Sequence, residues 1–182
     1  MEIGKRIHTY TGKMVAPLDM KPEDVDIRDI AHATSNMCRF AGHSSSFYSV
    51  AQHCRYVSEL VAPEFALKGL LHDASEAYLV DIPSPVKYDS RFSFYLEAER
   101  AVMQAIYTRF GLGEFVGDEP EIKAADHKAL GREAFFLSHQ PLSAYWQQWI
   151  VEHGSDTSGR LVGENPVLAR YLFLRRFEKL TQ

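Results

Sequence analysis

Only two cysteines occur in 182 residues, too few for a disulfide framework. Cys38 and Cys54 fall in segments that read as helical, where thiols act as packing residues in a reducing compartment. No apolar run approaches membrane-spanning length, and residues 1–10 carry charges but no apolar core of a secretory leader. No Lys/Arg-rich tract is present, and 24 acidic against 20 basic residues give a net charge of -4, so nothing favours a nucleic-acid polymer as partner. Small phosphorylated molecules remain allowed. Internal repeats and low-complexity tracts are missing too. The expectation is a soluble cytoplasmic protein with no membrane partner, a single domain over 1–182, with 46% hydrophobic residues to build one sizeable core.

Strand-like alternation is scarce as well. It is confined to 7–18, around Thr11 and Gly12, and predicts a short hairpin. From Asp26 onward the pattern is helical, with Ile27, Ile30, Ala31, Thr34 and Cys38 on one face. Ser44 to Ser46 offer caps for a second helix that repeats Phe47, Val50, Ala51, Cys54, Val57 and Val61. Pro63 suits the opening of a third helix, read as carrying His72, Asp73 and Glu76. That helix must stop before Pro83 and Pro85, which remove backbone donors and push their predecessors out of the helical region. Further helices are predicted over 92–110, ended by Gly111, over 120–137, around 142–151, and over 166–180 with Asn165 as cap. The Gly/Ser-rich stretch 154–163 reads as an exposed loop. The fold class is therefore an all-α bundle with a small N-terminal β-hairpin.

Several polar residues misfit these helices. At about 100° per residue, Leu67, Leu70, Leu71, Ala74 and Tyr78 form an apolar stripe, with Gly69, His72, Asp73 and Glu76 beside it. Glu64, Lys68 and Ser75 are left to face solvent, so the His72–Asp73 edge is expected to be partly buried. His53 sits at the margin of its own helix's apolar stripe. In the 120–137 helix, Asp126 and Glu133 share a face with Ile122, Ala129, Leu130 and Leu137. A buried acid must be paired, protonated or bound to a cation, so both need partners; for Glu133 an arginine such as Arg39 or Arg132 would serve. One divalent ion bridging His53, His72, Asp73 and Asp126 resolves the anomalies of three helices together, and two imidazoles with two carboxylates suit Mn, Fe, Co, Ni or Zn.

His53, His72-Asp73 and Asp126, in that order on separate helices, resemble the H…HD…D pattern of HD-domain metal-dependent phosphohydrolases. The run 72–76 followed by 81–88 is similar to the bacterial 5′-deoxynucleotidase branch, while 36–43 and 47–53 are similar to prophage-associated HD phosphohydrolases of the YfdR type. The likeness covers roughly 7–137. It implies His53, His72, Asp73 and Asp126 as metal ligands, Glu76 as catalytic acid and Asp81 as a second functional carboxylate. Arg39 matches an arginine that contacts substrate phosphate, Phe40 stands where that branch has Trp, Ser84 stands in for Thr, and Lys87 matches a lysine beside the site. His43 is added as a substrate-site candidate because it lies close to Arg39 in sequence.

The resemblance implies a phosphohydrolase of small (deoxy)nucleotides, releasing phosphate from deoxynucleoside 5′-monophosphates. Hydrolysis of deoxynucleoside triphosphates to tripolyphosphate is the alternative chemistry, and a non-catalytic nucleotide-binding regulatory module is the alternative class. The family likeness, together with the aromatic character of the 92–110 and C-terminal helices, also implies a homodimer.

Overall fold

Residues 4–182 are described in the structure, a computed structural model; residues 1–3 of the predicted 1–182 unit lie outside the described residues. The hairpin forms where the alternation placed it. Strands β1 (Ile7–His8) and β2 (Met14–Val15) pair antiparallel, Ile7 opposite Val15 and His8 opposite Met14. Gly12 turns the chain at φ 88°, a left-handed value that suits glycine. Asp29 accepts hydrogen bonds from the Thr11 N–H (2.7 Å) and hydroxyl (2.9 Å), tying the turn to the first helix.

The rest is helical: α1 (Ile27–Asn36), α2 (Val50–Leu60), α3 (Ala66–Leu71), α4 (Glu76–Leu79), α5 (Ser84–Lys87), α6 (Ser93–Phe110), α7 (Pro120–Leu137), α8 (Ala144–His153) and α9 (Pro166–Leu180). This is the mostly-α fold with a small hairpin that the sequence predicts. Helices α7 and α9 keep their predicted bounds because each begins with proline, and the Asn165 side chain accepts from the Leu168 N–H at the start of α9. Helix α6 closes on Gly111 in the left-handed conformation.

Several expectations fail locally. Helix α1 stops at Asn36, so Cys38 is not helical; it forms an isolated antiparallel bridge with Ser49. Arg39 N–H donates to Tyr48 O at 2.9 Å and Val50 N–H to Met37 O at 3.1 Å, closing the loop between them. Ser49, not Ser44 to Ser46, caps α2, accepting from the Gln52 N–H. No single helix carries His72, Asp73 and Glu76, because α3 ends at Leu71 and α4 begins at Glu76. Between them the bonds tighten to i→i−3, from Ala74 N–H to Leu71 O and from Glu76 N–H to Asp73 O. Tightening turns Ser75 inward, and it is buried rather than solvent-facing. The predicted proline loop also winds into the short α5.

Helix α2 lies at the centre, touching α1, α3, α7 and α9. Its Val50, Ala51 and Cys54 join a core with Ile30, Leu70, Leu71, Met103, Ile106 and Phe173, while Val57 joins a second cluster with Ile122, Ala125 and Ala129 of α7. Burying each leucine or isoleucine stabilises the fold by about 1.5–3 kcal/mol. Gly69 lets α3 approach α2 closely, since an added Cβ would meet Ser58 Cα and Val61 Cγ2 at 3.3 Å. Arg176 of α9 clasps the same joint, donating to Ser58 Oγ (3.0 Å) and Ser58 O (2.7 Å). Residues 154–163 are exposed for most of their length but pinned: Arg132 donates to Asp156 O and Ser158 O, and Gln52 donates to Val162 O. Phe173 of α9 is core, and Phe177 stacks edge-on against Phe110, so of the three C-terminal aromatics only Tyr171 stays exposed. No helix among the described residues is long and apolar enough to cross a membrane.

Candidate metal centre

The close approach of α2 to α3 has a chemical result. His53, wholly buried in α2, meets His72 with the two Nε2 atoms 3.2 Å apart. The Nδ1 atoms on the far sides are both occupied, His53 against Glu133 Oε1 (2.6 Å) and His72 against Gly69 O (2.8 Å). Gly69 O is a carbonyl and can only accept, so His72 Nδ1 carries hydrogen. Burial opposes ionisation of Glu133, but the charges of Arg39 and His53 outweigh it and hold that carboxyl below its ordinary pKa, so it too only accepts. With both rings held this way, neutral imidazoles aim two bare Nε2 lone pairs at each other, and the pair is satisfied either by one imidazolium donating across the 3.2 Å gap or by a metal cation accepted by both lone pairs.

Carboxylates complete the cluster. Asp73 Oδ2 lies 3.2 Å from His72 Nε2 and 3.7 Å from His53 Nε2, and Asp126 Oδ1 lies 3.1 Å from His53 Nε2. Metal–nitrogen bonds of about 2.0–2.1 Å at ordinary coordination angles separate donor atoms by roughly 3.0–3.4 Å, close to these spacings. The donor atoms of His53, His72 and Asp73 fall within 4.8 Å of one another, and the group can hold a metal ion. Asp126 approaches it on the His53 side. The electrostatics demand positive charge: burial disfavours a charged His72, yet Asp73 beside it lifts its pKa well above the ordinary value. His53 is raised too, because Glu133 and Asp126 overcome its burial and Arg39. Burial opposes ionisation of Asp73, but His72, His53 and Arg39 hold its carboxyl well below the usual range. Burial likewise opposes Asp126, which its bond to His53 brings down to about 2.

Beside this cluster opens a cavity of about 580 Å³. Arg39, Phe40, Glu76, Asp81, Ser84 and Lys87, the residues singled out in the sequence, all line it. His43 does not; it is exposed on the loop, because the chain turns away after Ala41. That turn is strained, with Phe40 (φ 56°) and Ala41 (φ 50°) left-handed before Gly42. The loop is anchored by Ser45 N–H donating to Leu137 O at 2.7 Å. Arg39 is aimed by Glu133, whose Oε2 accepts from its Nε at 2.9 Å, and its Nη1 stands 3.6 Å from Asp73. Thus Glu133 takes Arg39 as its arginine partner, and His53 as well; Arg132 bonds elsewhere. Val80 just before Asp81 is a second strained residue (φ 72°, ψ 149°), held by the Tyr95 hydroxyl donating to its carbonyl at 2.6 Å. Lys87 is paired with Glu99 at 2.6 Å, so both cations of the cavity lining are held by carboxylates, Arg39 by Glu133 and Asp73.

Glu76 is buried, and its Oε2 has no hydrogen-bond partner. Burial, then Asp73 and Asp81, push its pKa well above the carboxylate range, so the group holds a proton readily. Burial raises Asp81 also. Sequence reasoning missed Asp118, which lines the cavity and whose carboxyl burial lifts to about 6. It also missed Tyr145, Trp146 and Trp149 of α8, which form part of the wall. The signal was an aromatic trio on a helix that buries none of its residues.

No protein-family model matches the chain. It is 45% identical to the uncharacterized protein YfdR of Escherichia coli (strain K12) over 106 residues, 58% of each chain. It is 32% identical to the uncharacterized protein RCAP_rcc00048 of Rhodobacter capsulatus over 177 residues, 91% of this chain and 83% of that one. The match to the first relative thus spans little more than half of its length. The chain belongs to the family of the Rhodobacter capsulatus protein.

Proposed function

We propose that this member of that family is an HD-domain metal-dependent phosphohydrolase that releases phosphate from deoxynucleoside 5′-monophosphates. The observation that carries the reading is the pair of facing Nε2 atoms, 3.2 Å apart with both Nδ1 atoms engaged, beside a buried Glu76 oxygen without a partner. His53, His72, Asp73 and Asp126 would hold one divalent ion of the Mn, Fe, Co, Ni or Zn kind. Such an ion, when bound, supplies Lewis acidity toward a phosphoryl oxygen and lowers the pKa of water.

The chain's own residues do the rest. Arg39, fixed through its Nε, presents its remaining guanidinium N–H groups to non-bridging phosphate oxygens. Glu76 holds or moves a proton at its free Oε2, and its pKa, raised by burial and by Asp73 and Asp81, keeps that proton available. Asp81 and Ser84, on the stiff segment after Val80, form the wall toward the sugar or leaving group. Arg39 and the Glu99-bound Lys87 are the only lysine or arginine side chains among the cavity-lining residues, which suits one phosphate better than the three of a triphosphate. Cytoplasmic location and a homodimer belong to the same reading.

The test is a screen of nucleoside mono- and triphosphates with each divalent ion, reading phosphate and tripolyphosphate separately. Phosphate release from 5′-monophosphates is expected. Tripolyphosphate release would replace the substrate, and stoichiometric metal binding without turnover on any nucleotide would leave the non-catalytic module.

A further inference from the structure

The chain has two tryptophans, and both line the cavity, on α8 together with Tyr145. They are not equivalent. Trp149 is a structural anchor: its Nε1 donates to His127 O at 3.1 Å, and one face stacks on His153 at 4.2 Å and 20°. Trp146 meets its neighbours only edge-on, Tyr145 at 5.3 Å and 75° and Trp149 at 6.0 Å and 65°. Among the described residues no ring is stacked on the Trp146 face and no group bonds its indole nitrogen, and the side chain keeps part of its surface exposed. Tyr145 beside it is 62% exposed. Gly131 of α7 lets α8 and the segment after it pack closely, since a Cβ there would collide with Ser155 Oγ and meet Trp149 Cδ1 at 3.2 Å.

An indole with no ring stacked on it, lining the same cavity as Arg39, His72 and Asp73, is suited to a planar aromatic group joined to an anion. We propose that Trp146, flanked by Tyr145, is a stacking platform for the substrate's nucleobase, so that the enzyme selects nucleotides over phosphate esters that lack a base. The proposal rests on the phosphohydrolase reading for its substrate. Stacking is tolerant of base identity because every base has a π-face. Trp146 is a specificity residue, remote from bond breaking.

The experiment uses the metal-loaded full chain and compares a deoxynucleoside 5′-monophosphate with deoxyribose 5-phosphate. Trp146→Ala should raise KM for the nucleotide about tenfold or more with kcat little changed, the size expected for one lost base–aromatic stack. KM for the base-less ester should not move, and Trp146→Phe should restore most of the loss. Tyr145→Ala, at an exposed position that folding tolerates, should weaken nucleotide binding in the same base-dependent sense. Equal KM for both esters in the parent protein, or equal shifts for both in Trp146→Ala, overturns the platform. If no ester is hydrolysed, calorimetric Kd values for the same two ligands take the place of KM; base-dependent binding then upholds the platform while the hydrolase reading falls. Turnover that ignores the base does the reverse.

Discussion

The inner end of the cavity and its α8 rim are built on opposite principles. Around His53 and His72 each polar atom is fixed by another: Glu133 holds His53 and Arg39 together, and Gly69 O holds His72. The two imidazoles and Glu133 are buried, and the backbone beside them is strained at Phe40, Ala41 and Val80. At the rim, Trp146 meets its ring neighbours edge-on while Trp149 stacks on His153, α8 buries none of its residues, and Trp149 supplies the rim's indole hydrogen bond to α7. A buried polar network tolerates no missing member, whereas aromatic contacts degrade gradually. Changes within should therefore abolish chemistry, and changes at the rim should alter preference.

The largest expected effect is Asp73→Ala, which should empty the metal site and abolish turnover, as should chelation; metal content and activity measured together check it. Full activity in metal-stripped protein would erase the distinction between the two ends. Glu76→Gln comes next: kcat should fall about a hundredfold or more while metal content and KM hold, since a general acid/base group contributes about 10²–10⁴. Loss of metal in that variant would instead make Glu76 a ligand.

Glu133→Gln keeps an acceptor for His53 but removes the charge shared with Arg39. Metal affinity should weaken roughly 10–100-fold, the range seen when such orienting partners are lost. A metal titration of the variant that matches the parent would show the inner network to be less interdependent than its geometry. Asp118 sharpens the comparison through pH. Its carboxyl, lifted to about 6, is neutral below that pH and charged above it, so phosphate binding should weaken a few-fold as pH rises through it. Asp118→Asn should flatten that limb of the kcat/KM profile. Smallest of all, Gly131→Ala should nudge α8 outward, lowering Tm by a few degrees and raising nucleotide KM modestly with metal content unchanged.

Much of this was legible in the sequence for identifiable reasons. Helix α7 declared itself through Pro120 and its periodicity, and its inward Asp126 and Glu133 were recognisable as acids in need of partners. Their environments then diverged, Glu133 having no exposed side-chain surface and Asp126 keeping 33%. The pairing of Arg39 with Glu133 spans 94 residues, and periodicity carries no information about a contact so distant in sequence. His43 was misplaced for the same reason, because nearness to Arg39 along the chain says nothing once Phe40 and Ala41 reverse its direction.

By itself the sequence determined the helical fold, its caps and prolines, the hairpin at Gly12, and which residue types misfit an apolar face. Those are local properties, set by backbone sterics and by spacing along a helix. Only the tertiary structure decided that the turn from His72 to Ser75 tightens, that Gly69 lets α3 close on α2 until two imidazoles meet, and that α8 lays its aromatics across the cavity. Each of those depends on elements far apart in the chain coming into van der Waals contact, which packing of the whole core enforces and no single segment encodes.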